Sequence, residues 1–367
     1  MDRLNQFLGT GLRRRLLISA TIVTVLLILA VTPVGTGVLR GLALVDEPRP
    51  EPSVIVPASP THSPFDRRTG PRLVLPSPTE DGVSSPEPTP TKGRQGGKTW
   101  VVAAAGDIAC KPGEGGGGEC QHAATANVIA RLQPDAVLPL GDTQYDGALS
   151  EFQRSYDPTW GRFKEITHPA IGNHEYEADG HGYFTYFGDR AGRPGAGFYS
   201  FDLGAWHLIA LNSNCEQVGG CHRGSPQERW LRNDLKKHSK RCTLAYWHHP
   251  RFSSGVEHGS DGAVGPFWEA LYDYGADVVL AGHEHNYERF ARQTPGGRVD
   301  RQKGIRQFVV GTGGRSLYEF GRPLPNSEVR NSSSYGVLRL ELSRSSYQWR
   351  FVPATGSFTD SGRDRCH

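Results

Sequence analysis

Concentrated positive charge is what this chain most conspicuously lacks. Its formal net charge is only +3 over 367 residues, and Lys and Arg do not cluster beyond Arg13, Arg14 and Arg15. A basic stripe able to track a phosphodiester backbone is therefore missing, which excludes nucleic acid as a binding partner. No internal repeat is evident either, so repeat architectures are set aside. Charge is missing altogether between positions 16 and 39. The stretch 16–34 is rich in Leu, Ile and Val and is long enough to cross about 30 Å of hydrocarbon as a helix. The three arginines before it would stay on the cytoplasmic side and send the rest of the chain outward. No pair of small residues with Ala-x-Ala spacing follows, so an uncleaved anchor is the expectation; a cleaved signal peptide is the alternative.

The expected layout is a basic cytoplasmic tail at 1–15, a transmembrane anchor (or signal peptide) at 16–39, a linker at 40–98 and a folded domain at 99–367. Such a chain would be a single-pass cell-membrane protein held through its N-terminal anchor, with the domain extracytoplasmic, or secreted if the segment is cleaved. Pro, Ser, Thr and Gly dominate positions 46–98. That composition cannot bury enough apolar surface to offset ordering, and it reads as an extended spacer.

Cysteine is sparse but even in number, six in all, which suits an exported domain with disulfides. Cys110 with Cys120 and Cys215 with Cys221 would each close a short loop, leaving Cys242 for Cys366. Six cysteines allow 15 pairings, and this one rests on proximity alone.

From Thr99 the composition turns apolar, and short apolar runs alternate with helical patterns, the mark of an α/β domain. Strands are expected at 100–105, 136–140, 168–171, 197–203, 207–212, 243–247, 277–281 and 307–310, with a closing hairpin of 336–342 and 347–353. Helices are expected at 123–132, 149–163, 226–238 and 266–274.

Five of those strands end alike, in a small residue or an aromatic turn followed at once by a metal-type side chain. They lead to Gly106-Asp107, Gly141-Asp142, Gly172-Asn173-His174-Glu175, His248-His249-Pro250 and Gly282-His283-Glu284-His285. Ligands of α/β sheets gather beyond the carboxyl ends of strands, so the five loops can converge. Singly, a Gly-Asp pair is more often a turn and a lone histidine more often structural; their joint occurrence is the signal. Oxygen and imidazole donors together suit hard or borderline cations, and Asp142 could bridge two of them.

On these motifs the chain resembles the calcineurin-like metallophosphoesterases and, within them, the purple acid phosphatases, over roughly residues 100–314. The superfamily's Asp-x-His motif is Asp107-Ile108-Ala109 here, without the histidine. Purple acid phosphatases place a tyrosine three residues after the second aspartate, and Tyr145 stands there. The run Gly282-His283-Glu284-His285-Asn286-Tyr287-Glu288-Arg289 looks like that family's closing motif.

The resemblance implies a β-sandwich of two mixed sheets flanked by helices (αββα). It implies two metal ions: Fe(III) on Asp107, Asp142, Tyr145 and His285, and a divalent Zn, Fe or Mn on Asp142, Asn173, His248 and His283. His249 is read as an orienting neighbour. Two such cations would hold a phosphate ester and lower the pKa of a bound water, whose hydroxide would attack phosphorus. His174 is expected to contact a phosphate oxygen and His258 to protonate the leaving group; Glu175 and Asp146 are expected to orient ligands. The function implied is hydrolysis of a phosphorylated small molecule, a monoester first. A phosphodiester or nucleotide on the same site is an alternative, as is a non-catalytic envelope-anchored binding protein. The separate β-sandwich domain that precedes the catalytic domain in the plant enzymes is not expected here, the Pro-rich spacer occupying that place.

Overall fold

Alternate residues of the central strands enter two different cores, and that alternation sets the layering. The computed structural model describes residues 98–113, 118, 120–238 and 240–367, all within one compact unit, Glu87–His367. Its strands are β1 (Trp100–Ala105), β2 (Ala136–Pro139), β3 (Tyr199–Leu203), β4 (Trp206–Ala210), β5 (Cys242–Tyr246), β6 (Val278–Ala281), β7 (Tyr287–Phe290), β8 (Arg306–Val310), β9 (Ser327–Asn331), β10 (Gly336–Ser343), β11 (Ser346–Pro353) and β12 (Ser361–Arg365). Two mixed sheets result, one in the order β12-β11-β10-β1-β2 and one in the order β3-β4-β5-β6-β8-β7-β9.

Trp206, Leu208, Leu244, Tyr246, Leu280 and Phe308 of the larger sheet share a core with Val102, Ala104, Leu338 and Leu340 of the smaller. Their neighbours Ile209, Ala245 and Val279 join the second core. There they meet Leu231 and Leu235 of one helix (Pro226–Lys237) and Phe267, Trp268 and Leu271 of another (Gly265–Asp273). A further helix, His122–Leu132, packs on β1, β10 and β11. Helix, sheet, sheet, helix is the αββα sandwich expected from the resemblance.

The helix Pro226–Lys237 shows how local chemistry sets these elements. The Ser225 hydroxyl accepts the Glu228 N–H at 3.3 Å, Pro226 occupies the first turn where no donor is needed, and Lys236 and Lys237 face the negative end of the dipole.

Several expectations need correction. The helix expected at 149–163 is broken into Leu149–Glu151, a wider turn Phe152–Tyr156 and a tight helix Trp160–Ile166, because Pro158 has no N–H to continue the ladder. The strand expected at 168–171 survives only as isolated bridges, Val137 to Thr167 and Leu140 to Ala170. Unforeseen are the helix His181–Phe187 and the strands β7, β9 and β12; β12 is an edge strand of alternating charge with no apolar pattern to mark it.

The placement in the cell membrane is also corrected. No helix among the described residues is long and apolar enough to cross a membrane, and the expected anchor at 16–39 lies outside those residues, as do the tail and most of the spacer. The disulfides Cys110–Cys120, Cys215–Cys221 and Cys242–Cys366 are compatible with an extracellular location. They are the three pairs read from proximity, and the last ties the C-terminus to β5.

Candidate metal centre

The loops that follow β1, β2, β5 and β6, together with segment 172–175, meet at one end of the sandwich. They are stitched together by backbone bonds: Asp107 N–H to Gly141 O (3.1 Å), Ile108 N–H to Asp142 O (2.9 Å) and Gly282 N–H to His248 O (3.0 Å). Asp107, Asp142 and His283 take left-handed backbone conformations, at φ 61°, 45° and 70°. Non-glycine residues seldom do so, and a packed site is where such strain persists. Glycine is required at two close approaches. A Cβ at Gly141 would overlap the His248 ring, and one at Gly172 would overlap the Asp142 carboxylate.

Two groups of donor atoms converge there. In the first, Tyr145 Oη lies 2.7 Å from His285 Nε2 and 3.3 Å from Asp107 Oδ1, and His285 Nε2 lies 3.3 Å from Asp107 Oδ1. His285 donates from Nδ1 to the Ser316 carbonyl at 2.6 Å, which leaves Nε2 as a lone pair facing inward. In the second, His248 Nε2 is surrounded by Asp142 Oδ2 (3.2 Å), Asn173 Oδ1 (3.1 Å) and His283 Nδ1 (3.1 Å). His248 likewise donates from Nδ1, to the Leu140 carbonyl at 2.9 Å. One proton on Nε2 cannot serve three acceptors well, whereas a cation among these four atoms would satisfy them all.

The electrostatics agree. Burial would raise the Asp142 carboxyl, yet the His248 imidazole, with His174, holds it well below its ordinary value. Burial would lower His248, but the Asp142 charge lifts it to about 9, so positive charge is favoured at this point. His283 is pressed far down by burial and by His248, His249 and His258, leaving its ring neutral with a lone pair to give. Burial and the charges of Asp107 and Asp142 hold the Tyr145 phenol well above its ordinary value, so phenolate there calls for a highly charged cation. The residues fit metal ions.

Glu175 underlies this arrangement. Its buried carboxylate accepts the N–H groups of Asp142 (3.1 Å), Thr143 (2.6 Å), Gln144 (3.1 Å) and Gly172 (2.7 Å), and the Thr143 hydroxyl (2.7 Å). It thereby clamps the Asp142 loop to the Asn173 loop. Asp146 instead pairs with Lys111 at 2.5 Å.

His174 is half-buried. Its ring packs 4.3 Å from Tyr145, its Nδ1 faces Glu177 at 2.6 Å, and its N–H donates to Asp142 Oδ1 at 3.0 Å. His258 is exposed, its ring 4.0 Å from that of His283. His249 faces the Ser213 hydroxyl at 2.8 Å through Nδ1, and burial with the His248 charge lowers it to about 3.

The sequence reading missed the loop after β8, Gly311–Arg315. Arg315 lies over the Tyr145 ring at 5.0 Å, and Tyr318 stacks on His285 at 3.8 Å. That loop carries the same signal as the others, an apolar strand running into glycine, but no metal-type residue marks it.

Residues 101–287 match the family described as calcineurin-like phosphoesterase. Purple acid phosphatase 15 of Arabidopsis thaliana is 28% identical over 209 residues, 46% of this chain and 38% of that protein. Acid phosphatase type 7 of Homo sapiens is 32% identical over 250 residues, 57% of this chain and 55% of that protein. The chain thus spans about half or less of the curated relatives it matches. A purple acid phosphatase from yellow lupin seeds shares the fold at a TM-score of 0.60 and 18% identity, over 72% of this chain and 53% of that one.

Proposed function

The chain belongs to the calcineurin-like phosphoesterase family, and from that premise we propose that its domain, 99–367, hydrolyses phosphate monoesters in the manner of an acid phosphatase. The observation that carries this reading is the convergence on His248 Nε2 of three acceptor atoms beside a second cluster of Tyr145, His285 and Asp107. A purple acid phosphatase-type family implies a dinuclear centre of iron and a divalent ion. Here Asp107, Asp142, Tyr145 and His285 would hold Fe(III), and Asp142, Asn173, His248 and His283 a divalent Zn, Fe or Mn. Once bound, the two ions would neutralise phosphate charge and make a reactive water available near neutral pH.

The chain's own side chains do the rest. His174, fixed by Glu177 and half-buried at the mouth, meets a non-bridging phosphate oxygen. As water adds to phosphorus, the scissile P–O bond breaks with its electron pair on the leaving oxygen. His258 gives that oxygen a proton and, being exposed, regains one from solvent. Glu175 keeps the Asp142 and Asn173 loops in register throughout.

Metal analysis and phosphate release from a panel of monoesters, diesters and nucleotides test the proposal. Monoesters should be turned over fastest by protein carrying two metals. Tyr145→Phe separates iron from an all-divalent centre: the iron-loaded wild type should be pink to violet through its phenolate, and the variant colourless but folded. A colourless wild type after aerobic iron loading would remove Fe(III) from the reading, and failure to release phosphate from any ester would remove the activity.

A further inference from the structure

Four side chains of segment 283–288 divide into two sets. His283 and His285 enter the donor clusters, while Glu284 and Glu288 turn to the loop 253–259. Glu284 is wholly buried, and its Oε1 accepts the N–H of His258 at 2.7 Å and the N–H of Gly259. Glu288, equally buried, accepts the Ser254 N–H at 2.8 Å and the Ser327 hydroxyl. The root of the loop is held a second time from the far side. Gly321 N–H donates to Ser254 O at 2.9 Å, Leu324 N–H to Ser254 Oγ at 2.9 Å, and Gly255 bridges Phe320. At the tip, the two N–H groups of His258 and Gly259 both rest on Glu284.

A buried carboxylate is costly unless strong hydrogen bonds repay its desolvation, and two backbone donors on one oxygen are of that kind. We propose that Glu284 is a positioning residue for leaving-group protonation: it fixes the backbone of His258 so that the imidazole stays stacked on His283 at the edge of the centre. The proposal rests on the reading of His258 as the proton donor. It assigns the residue between the two histidines to a task outside metal binding.

The other carboxylate oxygen, Oε2, has no hydrogen-bond partner among the described residues. Glu284→Gln can therefore keep an acceptor for both N–H groups and place its amide nitrogen on the unpartnered side. Glu284→Leu removes the acceptor at similar volume. Gly255→Ala keeps the carboxylate but drives a Cβ into it, so it disturbs the same contact from the loop side and serves if the leucine variant does not fold.

The experiment compares an alkyl phosphate with 4-nitrophenyl phosphate, whose leaving group hardly needs a proton, and follows hydrogen exchange across 255–260 in the metal-loaded protein. Glu284→Leu and Gly255→Ala should lower kcat for the alkyl ester by about 10²-fold and leave the nitrophenyl ester little changed. Exchange at 258 and 259 should rise, and Glu284→Gln should stay near wild type on every measure. In a His258→Ala background, Glu284→Leu should add nothing further. Equal slowing of both esters, or a full effect of Glu284→Leu without His258, would overturn the proposal. If His258→Ala alone shows no dependence on the leaving group, the proton-donor reading fails. Exchange then decides the anchor: faster exchange in Glu284→Leu upholds it, and unchanged exchange overturns it.

Discussion

Two groups of histidines and carboxylates sit at opposite ends of β4 and β5, and only one is built to receive a metal. At the far end His207, at the start of β4, is bonded through both ring nitrogens, to Asp202 at 2.8 Å and to Asp234 at 2.7 Å. His238 stacks on it at 3.9 Å. Each nitrogen has its own acceptor, so a proton on each satisfies everything present. At the near end His248 and His285 each give one N–H to a backbone carbonyl; the other nitrogen of His248 faces Asn173 Oδ1 and His283 Nδ1, which also accept, and that of His285 faces the Tyr145 phenol oxygen. An ion pair saturates its imidazole, whereas around His248 Nε2 lone pairs face one another.

The comparison is broken most severely by removing one carboxylate from each end. Asp142→Ala should empty both metal positions and lower activity by more than the roughly 10–100-fold typical of losing an outer partner of a ligand, whereas Asn173→Ala should chiefly weaken the divalent ion. Asp234→Ala should leave metal content and kcat unchanged and cost stability on the order of 1–3 kcal/mol, by stranding one side of a buried imidazolium. Metal analysis and urea unfolding of the three variants decide it. Metal lost from Asp234→Ala, or equal loss of both metals from Asp142→Ala and Asn173→Ala, would erase the distinction.

The far end also carries the Cys242–Cys366 bridge, which spans 124 residues and starts beside Trp206. Closing so long a loop restricts the unfolded chain, so Cys366→Ser should cost about 5 kcal/mol in the chain-entropy picture. Metal content at the near end should not change. A midpoint in urea that hardly moves would show that this end is held by packing alone.

How much of this was legible in the sequence depended on how local each signal was. Asp107, Asp142, Asn173, His248 and His283 each follow an apolar run within a residue or two, so strand and donor could be read together, and the structure brings them to one place. The oxygens that orient the imidazoles, Leu140 O and Ser316 O, are backbone atoms and carry no identity. The partner of His207 on the far side, Asp234, is 27 residues away on a helix, and nothing in the spacing joins them. Glu284 stood in plain view between two histidines, but its contact is with a backbone 26 residues earlier. The αββα layering followed from a resemblance, whereas the broken helix after Leu149 turned on Pro158, a residue the apolar pattern does not register.

The smallest effect concerns the proton on His207. Burial alone would lower its pKa, but the hydrogen bonds and charges of Asp234 and Asp202 outweigh that and raise it above the ordinary value; Lys240, 3.2 Å from Asp202, and His238, 3.3 Å from Asp234, are the other ionisable groups at this cluster. Folding therefore favours the charged ring. The contribution is fully present below the unfolded value of about 6.5 and is lost as pH rises through the higher folded value. Urea unfolding of the wild type should show stability declining above pH 6.5, beyond the decline of a His207→Gln variant that cannot titrate there. His248 stands in the same sense, raised to about 9, but a bound metal would replace its proton and remove it from the curve. Adding metal should therefore leave the His207 difference between wild type and variant intact. A difference that vanishes on metal loading would mean that the two ends are coupled, and that the far cluster senses the occupancy of the near one.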